Sequence, residues 1–219
     1  MSIADNLQRL RSELPSGVKL IAVSKYQPVS SVREAYAAGQ RVFGENRAQE
    51  LEEKHRQLPR DIEWHFIGSL QTNKVKVIAP YVHTIHSIDS QHLLEEVSRQ
   101  AAKQGRVIQV LLQLHLAREA TKHGMSEEEC RAVVSGFRPE DNPWVRIAGL
   151  MCMASLTEDR ERIRQEFGQL RRLFEGIRRE FVERPYFREL SMGMSQDYGE
   201  ALLEGSTMVR IGTAVFGGR

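Results

Sequence analysis

The 219-residue sequence predicts an α/β fold, a parallel sheet closed as a single (β/α)8 TIM barrel. Three observations carry this. Short apolar runs rich in β-branched residues recur eight times. Amphipathic stretches alternate with them. No linker or low-complexity segment interrupts the alternation, so residues 1–219 read as one domain. Parallel strands covered on both faces give continuous apolar runs, and each parallel neighbour needs a crossover of helical length. The chain is short for this fold but within its lower range.

The elements follow in order. Ile3, Leu7 and Leu10 share one face of an extra N-terminal helix over Ile3–Glu13, which Pro15-Ser16-Gly17 ends. Strands are expected at Val18–Val23, Arg41–Phe43, Ile62–Phe66, Val82–His86, Val107–Leu114, Trp144–Met151, Phe187–Leu190 and Met208–Ile211. Helices are expected between them at Ser30–Ala38, Asn46–Gln57, Thr72–Ala79, Ser90–Gln104, Ser126–Gly136, Glu158–Phe181 and Gln196–Leu203. The clearest is Glu158–Phe181. There Ile163, Phe167, Leu170, Phe174, Ile177 and Phe181 recur at steps of three and four, with charges between them forming a solvated outer face. The last strand is followed almost at once by Phe216-Gly217-Gly218-Arg219, so no C-terminal β-domain is expected.

Composition excludes several classes. An apolar fraction of 41% and a charged fraction of 27% are those of a globular protein with a substantial core. A net charge of +2 gives no electrostatic footprint for nucleic acid. No apolar run approaches a membrane span, and Met1 to Asn6 lack the regions of a signal peptide. Cys130 and Cys152 lie far apart without metal-ligand spacing, which fits a reducing, cytoplasmic setting.

In α/β barrels the chemistry sits at the C-terminal ends of the strands. Lys25 follows the first apolar run there. A lysine so placed can lose its proton through desolvation and attack an aldehyde, although strands often end in a solvated polar residue. Phe43-Gly44-Glu45-Asn46 follows the second strand, His65-Phe66-Ile67-Gly68-Ser69 the third, and Ser191-Met192-Gly193-Met194-Ser195 the seventh. Arg210-Ile211-Gly212-Thr213 marks the eighth. Ser191–Ser195 reads as a small-residue turn into a helix starting near Gln196-Asp197, whose free N–H groups would bind phosphate. Gly212-Thr213 adds a close backbone approach and a hydroxyl. Alternatively, Ser195 only caps its helix and Gly212 only permits a turn. A phosphate site opposite an amine that forms Schiff bases suits pyridoxal 5′-phosphate, with its one phosphate and one aldehyde. An aldolase-type barrel acting on a sugar phosphate remains open at this point.

The stretches Ala22-Val23-Ser24-Lys25, Phe43-Gly44-Glu45-Asn46, Trp64-His65-Phe66-Ile67-Gly68, Gly149-Leu150-Met151, Leu190 to Ser195 and Gly205 to Thr213 together resemble the pyridoxal phosphate homeostasis protein family, in order along the whole chain. That family is similar in fold to the barrel domain of alanine racemase, the type III fold of pyridoxal phosphate enzymes. The resemblance implies that Lys25 forms the internal aldimine and that Ser195, Gly212 and Thr213 hold the phosphate. It places Arg210 at the pyridine nitrogen, Asn46 in a pocket-forming segment, and His65 and Met194 at the border of the ring. Glu45 is read as pointing away to cap the next helix.

A permanently charged guanidinium disfavours protonation of the ring nitrogen and so weakens carbanion chemistry. The racemases also draw a second base from a domain with no counterpart here, and two-base racemisation needs a group on each face. The resemblance therefore implies a non-enzymatic protein that stores or delivers the cofactor and maintains vitamin B6 and amino-acid/keto-acid balance, as a monomer, with cofactor-dependent apo-enzymes as partners. An amino-acid racemase of weak activity is the alternative. Gln27 stands where some relatives carry a second lysine, and Lys122 stands at a loop position where relatives also carry lysine and is a candidate for cofactor exchange.

Overall fold

In the computed structural model, residues 2–117, 123–180 and 185–218 are described. Eight parallel strands close into a barrel in sequence order. They are β1 (Lys19–Val23), β2 (Val42–Glu45), β3 (Glu63–Phe66), β4 (Thr84–Ile88), β5 (Ile108–Leu114), β6 (Val145–Cys152), β7 (Glu189–Met194) and β8 (Met208–Ile211). The crossovers carry α2 (Val29–Ala37), α3 (Ala48–Gln57), α4 (Thr72–Ile78), α5 (Gln91–Gln104), α6 (Glu127–Gly136), α7 (Arg160–Glu180) and α8 (Tyr198–Leu203). α1 (Ile3–Glu13) precedes the first strand and α9 (Thr213–Phe216) follows the last. Closure is the β1–β8 pairing, in register from Lys19↔Met208 to Ala22↔Ile211.

Two cores result. The larger lies between sheet and helices. α7 inserts Ile163, Phe167, Leu170, Phe174 and Ile177 into it, as its period requires, while Phe181 lies outside the described residues. The smaller fills part of the barrel interior with Ile21, Leu111, Ala148, Met151 and Met208. α1 starts on a capping box between Ser2 and Asp5, buries Leu7 and Leu10, and packs on α2 and α9. Its Asn6 amide donates to the Val215 carbonyl, 3.0 Å away.

The structure shifts several expected boundaries. β2 continues through Gly44-Glu45, and β7 runs to Met194, so most of the expected turn after strand seven is strand. α8 begins at Tyr198 with Asp197 as its N-cap, so Ser195 does not cap it. α9 was not expected, being a single turn after β8. Gly149 in β6 lies so close to β7 that an added Cβ would sit 1.8 Å from the Glu189 carbonyl oxygen. Gly136, at the end of α6, has open space at the same position. Gly149→Ala is therefore expected to destabilise the barrel by about 1–3 kcal/mol through backbone displacement. Gly136→Ala should stabilise it by about 0.5–1 kcal/mol by restricting the unfolded chain. Urea unfolding of the two variants beside the parent checks both signs.

Candidate functional site

Because all eight strands are parallel, their C-terminal ends share one mouth, and the segments carrying Lys25, Asn46, Ser195 and Thr213 open there. Lys25 lies just past β1. Its side chain is exposed, and no hydrogen bond or ion pair engages its amine among the described residues. The turn that carries it is braced. Gln27 N–H donates to the Ser24 carbonyl at 3.0 Å. Tyr26 adopts φ 61°, a left-handed conformation that costs a non-glycine residue about 1 kcal/mol. Its N–H donates to Glu50 Oε1 at 2.6 Å.

Beneath this turn lies a buried ion pair. Lys54 Nζ donates to Glu45 Oε1 and to the Ser24 carbonyl, each at 2.6 Å, and to Glu50 Oε1 at 2.8 Å. Ser24 Oγ donates to Glu45 Oε1 at 2.6 Å. Glu45 is fully buried, and burial raises its carboxyl against the pull of Lys54. Glu45 therefore does not cap α3, whose N-cap is Arg47. It is the last residue of β2, and the strand pleat turns it under Ser24.

The neighbouring strand ends complete the mouth. Asn46 is half-buried, and its Oδ1 is buried without a hydrogen-bond partner. Gly68 lets the third strand end pass beside it, since a Cβ there would stand 2.4 Å from the Asn46 carbonyl. Met194 is the last residue of β7, in register with Arg210, and is partly exposed. Ser195 is half-buried in the turn that follows. The Asp197 carboxylate accepts the Met194 N–H at 2.5 Å and fixes that turn. Gly212 lies against the Val23 carbonyl, where a Cβ would come to 3.2 Å, and Thr213 opens α9 with its side chain exposed. Lys122 lies outside the described residues.

Arg210 and His65 sit deeper, inside the barrel. The Arg210 guanidinium is buried, donating to Ser191 Oγ at 2.5 Å and to the Cys152 carbonyl at 2.9 Å. His65 has no exposed surface, and both ring nitrogens are engaged, Nδ1 with His86 Nε2 at 2.7 Å and Nε2 with Glu63 Oε1 at 2.9 Å. Burial lowers the His65 imidazole to about 4, against the opposing pull of Glu63, and lowers His86 well below the ordinary value. Burial alone would raise the Glu63 carboxyl, but hydrogen bonds from His65 and Lys19 outweigh it and hold the group far down.

Glu63, His65 and His83 also bring possible metal-ligand atoms within 4.8 Å of one another. The Lys19 ammonium, 2.7 Å from Glu63 Oε1, already occupies that carboxylate. A cavity of about 420 Å³ beside Arg11, Gly17, Lys19 and Arg41 likewise opens around the start of β1, away from the strand ends.

Sequence reasoning singled out Lys25, Asn46, Ser195, Gly212 and Thr213, which the fold carries to one mouth. It placed Ser24 and Ser191 within motifs without a role of their own, and it missed the supporting residues Glu50, Lys54 and His86.

These features define a barrel of the alanine racemase N-terminal domain class, and the model of that family matches residues 1–219. Within that class, the chain belongs to the pyridoxal phosphate homeostasis protein family. It is 41% identical over 203 residues to the protein of that name from Aquifex aeolicus, covering 92% of this chain and 87% of the relative. The Escherichia coli K12 protein of the same name is 34% identical, with 99% and 97% covered. Among solved structures, PipY of Synechococcus elongatus PCC7942 is 40% identical and covers 99% of this chain and 100% of its own. The TM-score is 0.91 for its structure without PLP and 0.88 for its structure with PLP bound. The alanine racemase of Streptomyces coelicolor shares the fold at 20% identity and a TM-score of 0.75, with 58% of its length covered. No helix among the described residues is long and apolar enough to cross a membrane.

Two outcomes follow for the buried groups. Lys54→Met leaves Glu45 buried without its cation, an expected loss of about 3–5 kcal/mol, and Lys54→Met/Glu45→Leu should recover most of it. Denaturant midpoints of the single and double variants check this. His65 and His86 have folded pKa values below their unfolded ones, so the unfolded chain binds more protons between them. Stability is then complete above about 6.5 and falls as pH drops toward about 4, with His65 accounting for about 3 kcal/mol. Urea midpoints from pH 7 to 4 should fall less steeply in His65→Asn than in the parent.

Proposed function

We propose that this protein binds pyridoxal 5′-phosphate reversibly, as a Schiff base to Lys25, and holds it for supply to other proteins rather than for turnover. The observation that carries this is the placement of an uncommitted amine, Lys25, on a braced turn at the same mouth as the ends of β7 and β8. PipY, at 40% identity over nearly the whole chain, has been solved with PLP bound.

The residues present fit that group. Asn46 Oδ1 is a buried acceptor awaiting a donor, and Gly212 brings the start of α9 against Val23, next to the loop that carries Lys25. Ser195, Gly212, Thr213 and the first turn of α9 would take the phosphate, since free N–H groups and hydroxyls suit an anion. Arg210 would face the ring nitrogen as a donor that stays charged, and Met194 would border the ring. His65, with both nitrogens engaged, contributes through the barrel interior and not by direct hydrogen bonding to the ring. The cofactor supplies an electrophilic aldehyde and a ring that can accept electrons.

The chain's own residues favour storage over catalysis. A buried guanidinium opposes protonation at the ring nitrogen, where carbanion chemistry gains most from an acid. The curated relatives are named for homeostasis rather than for a reaction. A monomer in the cytoplasm serving cofactor-dependent apo-enzymes completes this reading, and the two buried cysteines, Cys130 and Cys152, suit a reducing compartment.

Reconstituted protein should show the visible absorption of lysine-bound cofactor, and Lys25→Ala should lose it entirely while keeping its unfolding midpoint. Loaded protein mixed with a cofactor-dependent apo-enzyme should restore activity at a rate different from that of free cofactor at the same concentration. No visible band in the parent, or a full band in Lys25→Ala, would sink the proposal.

A further inference from the structure

A continuous chain of hydrogen bonds crosses the barrel interior from Arg210 to Glu63. Arg210 Nη1 lies 2.5 Å from Ser191 Oγ, Ser191 Oγ 2.9 Å from His86 Nδ1, His86 Nε2 2.7 Å from His65 Nδ1, and His65 Nε2 2.9 Å from Glu63 Oε1. Lys19 Nζ closes it, 2.7 Å from the same carboxylate oxygen. Ser191, His86 and His65 are buried to within 1% of complete.

Donor and acceptor capacities determine which way every bond runs. A guanidinium has no acceptor, so Ser191 Oγ accepts from Arg210 and has one proton left. Its other neighbour is His86 Nδ1, so that nitrogen takes this proton as acceptor, and a neutral His86 carries its own proton on Nε2. His65 Nδ1 must then accept, which places the His65 proton on Nε2, pointing at Glu63. Reading from the other end gives the same answer. An ammonium only donates and an ionised carboxylate only accepts, so His65 must be protonated on Nε2. The two ends agree with no proton missing and none to spare. The reverse order would set a bare ring nitrogen against a carboxylate and leave the Ser191 hydroxyl without an acceptor. The neutral state of both rings follows from their depressed basicity in a fully buried setting.

We propose that Glu63 is a positioning residue acting across the barrel: through His65, His86 and Ser191, its carboxylate sets the single hydrogen-bond order that holds the Arg210 guanidinium at the cofactor mouth. The link to a cofactor rests on the function proposed above. The hydrogen-bond order itself does not.

The test is the histidine tautomer, read in cofactor-free protein at pH 7 by long-range ¹H–¹⁵N NMR. In the parent, His65 and His86 are expected in the Nε2–H form, with the other tautomer below about one part in ten, as a charged acceptor demands. Ser191→Ala disconnects Arg210, yet His86 should keep the Nε2–H form because Glu63 still directs it. In Ser191→Ala/Glu63→Leu, the Nδ1–H form of His86 should rise about threefold or more. An Nδ1–H ring or an imidazolium in the parent overturns the proposal, and needs no variant to fold. A flip in Ser191→Ala alone, or an unchanged double variant, also overturns it. In loaded protein, Glu63→Leu leaves one buried donor unpaired in either order, since Ser191 Oγ can accept twice, so the order is no longer single. The cofactor's visible band should then move although residue 63 does not touch it, and an unmoved band overturns the positioning role. A parent with no band would count against the cofactor reading alone, leaving the tautomers to decide the hydrogen-bond order.

Discussion

The pairing of the first strand with the last is the constraint on which the rest of the molecule depends. Four residues of β1 lie in register with four of β8, and this closes the sheet. Closure places Val23 against Gly212, so the segments that carry Lys25 and Thr213 open at one mouth. An open sheet would leave those residues at opposite edges. Because every strand is parallel, no strand end is lost to the far side. The helices then follow their strands as covers for the outer face, and α7 buries the longest apolar stripe of any of them.

The interior is divided by chemistry. Ile21, Leu111, Ala148, Met151 and Met208 fill one part with apolar contacts, while Lys19, Glu63, His65, His86, Ser191 and Arg210 form a connected polar chain in the rest. Buried polar groups of this kind contribute little net stability, because desolvation offsets most of what pairing gains. Their retention makes sense if they position something, and Arg210 is the member nearest the strand ends. The Lys54–Glu45 pair has the same character. It lies under Ser24, so a precise geometry for the turn carrying Lys25 is obtained from a contact worth little by itself.

Much of the fold was legible because strands covered on both faces leave an unbroken apolar run, and α7 repeats its period for five turns. The errors fall where interior positions are small or polar. Gly44-Glu45 and Ser191 to Met194 lack apolar side chains at the inward positions, so strand read as loop, and α9 is too short to show a period. The residues at the mouth were legible from strand-end logic and from their motifs. The groups behind them were not. Strand alternation puts 63 and 65 on one face, but no spacing rule joins that pair to 86, 191 and 210, and only the closed barrel makes them neighbours. Lys54 carried no signal, because nothing local shows that its face of α3 turns toward Ser24.

The central claim is that one particular amine, presented at the barrel mouth, carries the cofactor. The most direct measurement is borohydride reduction of the loaded protein followed by peptide mass mapping. A phosphopyridoxyl group on the peptide containing Lys25, stoichiometric and absent elsewhere, is the result this account requires. Attachment mainly at Lys54, at Lys122 or spread over surface lysines would contradict it.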